Sequence, residues 1–293
     1  MAQPVSLLPA GACDCHVHVI GPRADYPMVD ARHYTPGVAT HEDLRTHLAR
    51  NGLARAVIVQ PSVYGTDNRC MLDSLDRLQG AGRGIAVVDP AASDAGDASL
   101  RAMHARGVCG LRINVESAGI RDAAAVGRSL AQWAERIAPL GWHLQIYAAL
   151  DTVAAAAPHI ARLAVPVVLD HFAMLPAETP HTDARATAVL DLLRAGNAYV
   201  KLSAPYRMAA NGAPDTALVD AWAAAFVAAA PERLLWGSDW PHTDREPGKQ
   251  AHEVSRYRDM PHGVLTDAIA RWLPDEALRM QVLVRNPAAL YGF

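Results

Sequence analysis

Eight short apolar runs punctuate the chain, at residues 12–19, 54–60, 84–88, 108–113, 142–147, 165–170, 198–202 and 234–238, and segments with a helical pattern follow most of them. Their apolarity is largely continuous rather than alternating, as in strands buried on both faces of a helix-covered parallel sheet. The Ala-, Leu- and Arg-rich stretches 43–51, 68–80, 122–140, 183–195 and 215–230 are long enough to act as crossover helices. Eight βα units in 293 residues predict an α/β fold in the form of a closed (β/α)8 barrel, a TIM barrel, as one domain over residues 1–293. A doubly wound open sheet is the alternative that the same alternation allows. Two segments exceed the bare repeat: the loop 20–40, rich in Pro, Tyr and Arg and suited to a lid, and the tail 240–293, expected to add a segment capping the barrel.

Charge and cysteine content narrow the function. The formal net charge of -3 comes from mixed signs without a basic run, so neither nucleic acid nor an anionic membrane is an expected partner. Cys13, Cys15, Cys70 and Cys109 form no CxxC pair, and all but Cys70 lie in runs that read as buried strands, so a disulfide framework is not expected. No long unbroken apolar stretch and no cationic leader stand out, which places the protein in the cytoplasm as an expectation. A homo-oligomer is compatible with the sequence, which does not specify one.

The chemistry sits at strand ends. In Asp14-Cys15-His16-Val17-His18, strand alternation puts positions 14, 16 and 18 on one side, so two imidazoles share a face where a metal ion or a developing oxyanion would sit. The run 165–170 ends at Asp170-His171, and the run 234–238 ends at Asp239. Polar groups at the ends of different strands converge at the C-terminal mouth of a barrel, so His16, His18, His171 and Asp239 are the expected catalytic set. Taken singly, an N-capping aspartate or a satisfied core histidine explains each of them; together they are what a barrel active site requires.

This constellation resembles the amidohydrolase superfamily, whose members carry HxH on the first barrel strand, histidines on middle strands and an aspartate ending the eighth. Within it, the closest likeness is to the 2-pyrone-4,6-dicarboxylate lactonases and related lactonases. That likeness rests on residues 13–18, Tyr34-Thr35-Pro36, Gln60-Pro61-Ser62, Gly65-Thr66-Asp67-Asn68, Leu111-Arg112, Lys201-Leu202-Ser203-Ala204-Pro205-Tyr206-Arg207 and residues 237–241. The resemblance implies an amidohydrolase-like barrel that cleaves a carboxylated ring ester, such as a 2-pyrone-4,6-dicarboxylate-like or muconolactone-like lactone, without redox chemistry or a nucleotide.

Whether a metal takes part turns on charge. Many amidohydrolases hold two metals through a carboxylated lysine on the fourth strand, but here that strand carries Arg112, and the only lysines are Lys201 and Lys249. A fixed guanidinium opposes a divalent ion and favours an anionic substrate. The resemblance likewise implies metal-independent catalysis, so no cofactor is expected. One Zn2+ on His16, His18, His171 and Asp239 is the alternative, because three imidazoles and a carboxylate satisfy tetrahedral coordination.

The expected mechanism has Asp239 activate water while the three histidines stabilise the oxyanion. Arg112 and Arg207 are the candidate carboxylate clamps, with Tyr34, Ser62 and Tyr147 as further donors and Arg121 as a weaker candidate. Three rivals remain: a mononuclear-zinc decarboxylase of the same superfamily, a sugar-acid lactone hydrolase or isomerase, and a non-catalytic binder of a small carboxylate.

Overall fold

The computed structural model describes residues 8–89, 96–114, 123–261 and 263–293. Eight parallel strands run in chain order around a barrel: β1 Cys13–Val17, β2 Arg55–Val59, β3 Gly82–Ala86, β4 Val108–Asn114, β5 His143–Tyr147, β6 Val167–Leu169, β7 Ala198–Leu202 and β8 Leu234–Trp236. Just beyond the last strand, a bridge between Val17 and Trp240 joins it to the first, with Asp239 N donating to His16 O at 2.9 Å and His18 N to Trp240 O at 2.8 Å. The barrel of the sequence reading is therefore present, with the open sheet excluded and β3 beginning two residues before the expected run.

Helices follow as α1 His41–Arg50, α2 Arg69–Leu78, α3 Asp97–Ala105, α4 Ala123–Ile137, α5 Leu150–Ile160, α6 Ala184–Arg194 and α7 Thr216–Ala229. Side-chain caps fix three of these starts: Asp183 accepts from Arg185 N and Asp215 from Ala217 N, and Thr40 with Asp43 forms a reciprocal capping box that starts α1 before the expected residue 43. Apolar residues divide into an outer layer between barrel and helices and an inner column that includes Cys15, Val57, Ile85, Val168 and Leu235. All four cysteines are free and buried.

The two surplus segments have separate tasks. Loop 20–40 is pinned by an Ile20–Ala39 bridge and by a two-residue ladder pairing Thr35–Pro36 with Val254–Ser255, so it forms a fixed wall of the mouth. The rest of the tail, through Val264–Trp272, Glu276–Met280 and Asn286–Tyr291, leads to the opposite end. There Tyr291 enters the inner column, Arg83 donates to the carbonyls of Tyr291 and Gly292, and Asn286 donates to Pro231 O and Leu234 O. No described helix is long and apolar enough to cross a membrane.

Candidate active site

The first strand does not keep the simple alternation its sequence suggests. Its pairing with β2 is irregular between Asp14 and Val17, and the side chains at 14 and 16 part company. Asp14 turns to α1, where Oδ2 meets His47 Nε2 at 3.1 Å, while Oδ1 accepts from Ser238 N at 2.8 Å. His16 and His18 face Asp239 instead. Irregularities of this kind re-aim side chains beside active sites, and period-two reasoning cannot see them. Gly237 completes the arrangement, since a Cβ there would lie 2.7 Å from His16 Cβ.

His171 and Asp239 leave β6 and β8 with φ of 51° and 63°, left-handed values uncommon for non-glycine residues and concentrated at functional sites. The turn brings Asp239 Oδ1 to 3.7 Å from His16 Nε2, 3.7 Å from His18 Nε2 and 3.9 Å from His171 Nε2. Those separations exceed a hydrogen bond, and Asp239 Oδ1 and His16 Nε2 have no partner of their own. The other oxygen is fully engaged: Oδ2 accepts from Tyr206 OH at 2.6 Å and from Arg207 at 3.0 and 3.3 Å. One oxygen thus anchors the carboxylate and the other is free to react.

The imidazoles are not equivalent. His18 Nδ1 lies 2.7 Å from Val59 O, and a carbonyl only accepts, so Nδ1 carries the proton and neutral His18 presents a bare Nε2. Under His16 lies Lys201, fully buried, which donates to Gln145 Oε1 at 2.7 Å and sits 3.3 Å from His16 Nδ1. Asp170 Oδ1 is also 3.3 Å from that nitrogen and 3.4 Å from Lys201 Nζ. An ammonium only donates, so the Lys201 contact favours a bare His16 Nδ1 and a proton on Nε2, facing Asp239. Gln145 Nε2 donates to Asp170 Oδ2 at 3.0 Å, and Arg112 approaches the same oxygen at 3.6 Å. His171 Nδ1 pairs with Ser203 Oγ at 2.9 Å, which leaves either tautomer open.

A cavity of about 210 Å³ opens above these groups, lined by His18, Tyr34, Pro61, Ser62, Arg112, Tyr147, His171, Arg207, Thr243, Asp244 and Arg245. The structure therefore brings together His16, His18, His171, Asp239, Arg112, Arg207, Tyr34, Ser62 and Tyr147 of the expected set; Arg121 lies outside the described residues. Arg112 and Arg207 both lie over the Tyr147 ring, at 5.2 and 6.0 Å from its centre. The expected set leaves out Tyr206, Lys201, Gln145, Asp170 and Arg245, although Asp170 stands at a strand end noted in the sequence and Lys201 and Tyr206 lie in the motif that carries the resemblance. Tyr206 was within reach, being next to Arg207 just past a strand end, whereas a lysine inside a barrel has no sequence signal of its own.

An amidohydrolase family model matches residues 13–293. The chain belongs to the amidohydrolase family. It is 35% identical over 307 residues to a 2-pyrone-4,6-dicarboxylate hydrolase of Comamonas testosteroni, covering 99% of this chain and 93% of that protein. It is 32% identical over 290 residues to a 4-sulfomuconolactone hydrolase of Hydrogenophaga intermedia, covering 98% and 90%. Among solved structures, an Acinetobacter baumannii protein assigned to 2-pyrone-4,6-dicarboxylic acid hydrolysis superposes with a TM-score of 0.80 at 24% identity, over 97% of this chain and 100% of that one, and shares the fold.

In this amidohydrolase, His16, His171 and Asp239 each offer one atom within 4.8 Å of the others, a spacing that fits a single metal ion. The hydrogen bonding fits less well. His18 has the pattern of a ligand, with Nδ1 donating to a carbonyl, but the ammonium of Lys201 favours the proton on the His16 nitrogen that a metal would need bare.

Burial lowers His18 to about 4 and His171 to about 3, and burial together with Lys201 holds His16 well below its ordinary value. Burial would raise the Asp239 carboxyl, but Arg207 and the imidazoles outweigh it and hold it well below the usual carboxylate range. The site at neutral pH is thus an ionised carboxylate among neutral imidazoles. Between those folded values and the ordinary 6.5, the unfolded chain binds more protons at His18 and His171 than the folded one, so stability rises with pH across that window. Lowering the pH from about 7 to about 5 should therefore lower the urea midpoint; an unchanged midpoint would show that these imidazoles are not held neutral.

Proposed function

We propose that the chain is a single (β/α)8-domain hydrolase that opens a small lactone bearing carboxylate or sulfonate groups, with Asp239 as general base. The observation that carries this reading is the divided carboxylate: Oδ2 held by Tyr206 and Arg207, Oδ1 facing three imidazoles across gaps of 3.7 to 3.9 Å. A water in that space gives its proton to Asp239 Oδ1 as its oxygen attacks the lactone carbonyl. The bare Nε2 of His18 orients the water by accepting its second hydrogen. The Nε2–H of His16 donates to the oxyanion, an asymmetry that replaces the expectation of three equivalent donors. When the tetrahedral intermediate collapses, the ring C–O bond breaks and the proton on Asp239 passes to the leaving oxygen. The product is a ring-opened acid, with no redox change.

Arg112, beside Tyr147 and buried, binds an anionic group of the substrate, with Ser62 and Tyr34 lining the same cavity. The likeness to hydrolases of a pyrone dicarboxylate and a sulfomuconolactone supports this substrate class. The enzyme acts without a resident metal in this reading, and the hydrogen bond from Lys201 to His16 supports that. It works in the cytoplasm on a free small molecule rather than on nucleic acid.

A second reading has one Zn2+ held by His16, His171 and Asp239, favoured by their spacing. Bound there, the ion would act as a Lewis acid and lower the pKa of a coordinated water. The test is elemental analysis of protein purified without added metal, together with turnover of a panel of carboxylated lactones and aromatic acids before and after chelation. Lactone opening that survives chelation, at well below one metal per chain, is the expected result. About one zinc per chain with activity lost on its removal would sink the metal-free reading, and turnover of aromatic acids alone would make the protein a decarboxylase.

A further inference from the structure

The clamp expected at Arg207 is already engaged. Its guanidinium holds Asp239 Oδ2 and lies over the Tyr206 and Tyr147 rings, so an anion drawn to it would compete with the base it positions. Arg112 lies deep, at 7% exposure, and donates to Gln60 O at 3.3 Å. A substrate with two anionic groups therefore needs a second cation elsewhere on the cavity wall.

The loop after β8 supplies one. Asp244, Arg245 and Glu246 are consecutive, and each acid is taken by an arginine further along the tail: Asp244 Oδ1 by Arg258 at 2.8 Å, and Glu246 Oε1 by Arg256 at 2.8 Å. Asp244 Oδ1 also accepts from Arg245 N at 2.9 Å, and Arg258 N donates to His242 O at 2.9 Å, so the loop is tied down on both sides of Arg245. Arg245 lines the cavity, is exposed, and among the described residues has neither an acidic partner nor a side-chain hydrogen bond. It is a cation held at the rim by bonds to its neighbours, with its own charge unspent.

We infer that Arg245 is a specificity-determining residue that binds the distal anionic group of a doubly charged substrate, while Arg112 binds the inner one. The cavity, at about 210 Å³, is below the usual range for drug-sized ligands, so a small planar dianion reaches from floor to rim. This inference rests on the proposed lactone hydrolysis only for the identity of the natural ligand; the two-level cation arrangement is a property of the cavity itself.

Binding separates the two claims. Calorimetric titration with benzene-1,3-dicarboxylate and with benzoate, on the unaltered protein and on Arg245→Gln and Arg245→Lys, reads the rim contact without turnover. Arg245→Gln should weaken the dicarboxylate about tenfold and change benzoate less than about twofold, with Arg245→Lys in between. Equal weakening of both ligands, or none for the dicarboxylate, would overturn the assignment. In parallel, the unaltered protein is assayed on a dicarboxylated lactone. No turnover there, with the binding difference intact, would remove the proposed reaction and leave the rim subsite standing.

Discussion

Replacing Asp239 with Asn is expected to lower kcat roughly 10²- to 10⁴-fold, the range for loss of a positioned general base, while ligand binding survives. The amide is nearly isosteric. Its oxygen can still accept from Tyr206 and Arg207, and its NH2 group then faces the imidazoles where the reactive oxygen stood. Binding of a non-hydrolysable dicarboxylate should be unchanged or tighter, since a negative charge has been removed beside Arg207. Turnover at the unaltered rate would eliminate Asp239 as base. Loss of both turnover and binding would instead assign it to holding Arg207 in place.

The second large effect is on stability. Lys201→Met removes the ammonium that faces Asp170 Oδ1 at 3.4 Å, both side chains being fully buried, and leaves the carboxylate with Arg112 at 3.6 Å as its remaining cation. Breaking a buried pair in this way costs about 3–5 kcal/mol. A loss of that size should lower Tm by about 5–8 °C. Adding Asp170→Leu removes the carboxylate without supplying a new donor beside His16 and should restore part of the lost Tm. It should not restore turnover, because nothing then donates to His16 Nδ1 to keep the proton on Nε2. Thermal melts and kcat on the single and double variants decide the matter: a double variant that recovers both would show that Lys201 serves the fold and leaves the His16 tautomer to other contacts.

The parts legible in the sequence are those set by repeating physics. Continuous apolar runs gave away strands buried on both faces, and Asp183 and Asp215 marked helix starts because a capping carboxylate must precede the first turn. His16, His18, His171 and Asp239 could be gathered because a barrel brings strand ends together regardless of their distance in sequence. What stayed hidden depends on tertiary detail. The irregular register at Asp14 cannot be read from alternation, and the burial of Lys201 runs against the ordinary preference of lysine for water. Arg207 was legible as a cation near the site, but that it holds Asp239 rather than waiting for substrate depends on an approach of 3.0 Å that no spacing encodes. Arg245 gave no signal, because its availability follows from where Arg256 and Arg258 direct their own charges.

The seam between the first and eighth strands has a consequence for how activity arises. Asp239 and the His16–His18 pair come from opposite ends of the barrel sequence and are registered to each other by two backbone hydrogen bonds, Asp239 N to His16 O and His18 N to Trp240 O. No shorter stretch of the barrel contains a complete site. A refolding or growing chain can form most of its strands and helices and still lack a base facing its imidazoles. Turnover is therefore a direct reporter of barrel closure, where circular dichroism would register only that strands and helices are present.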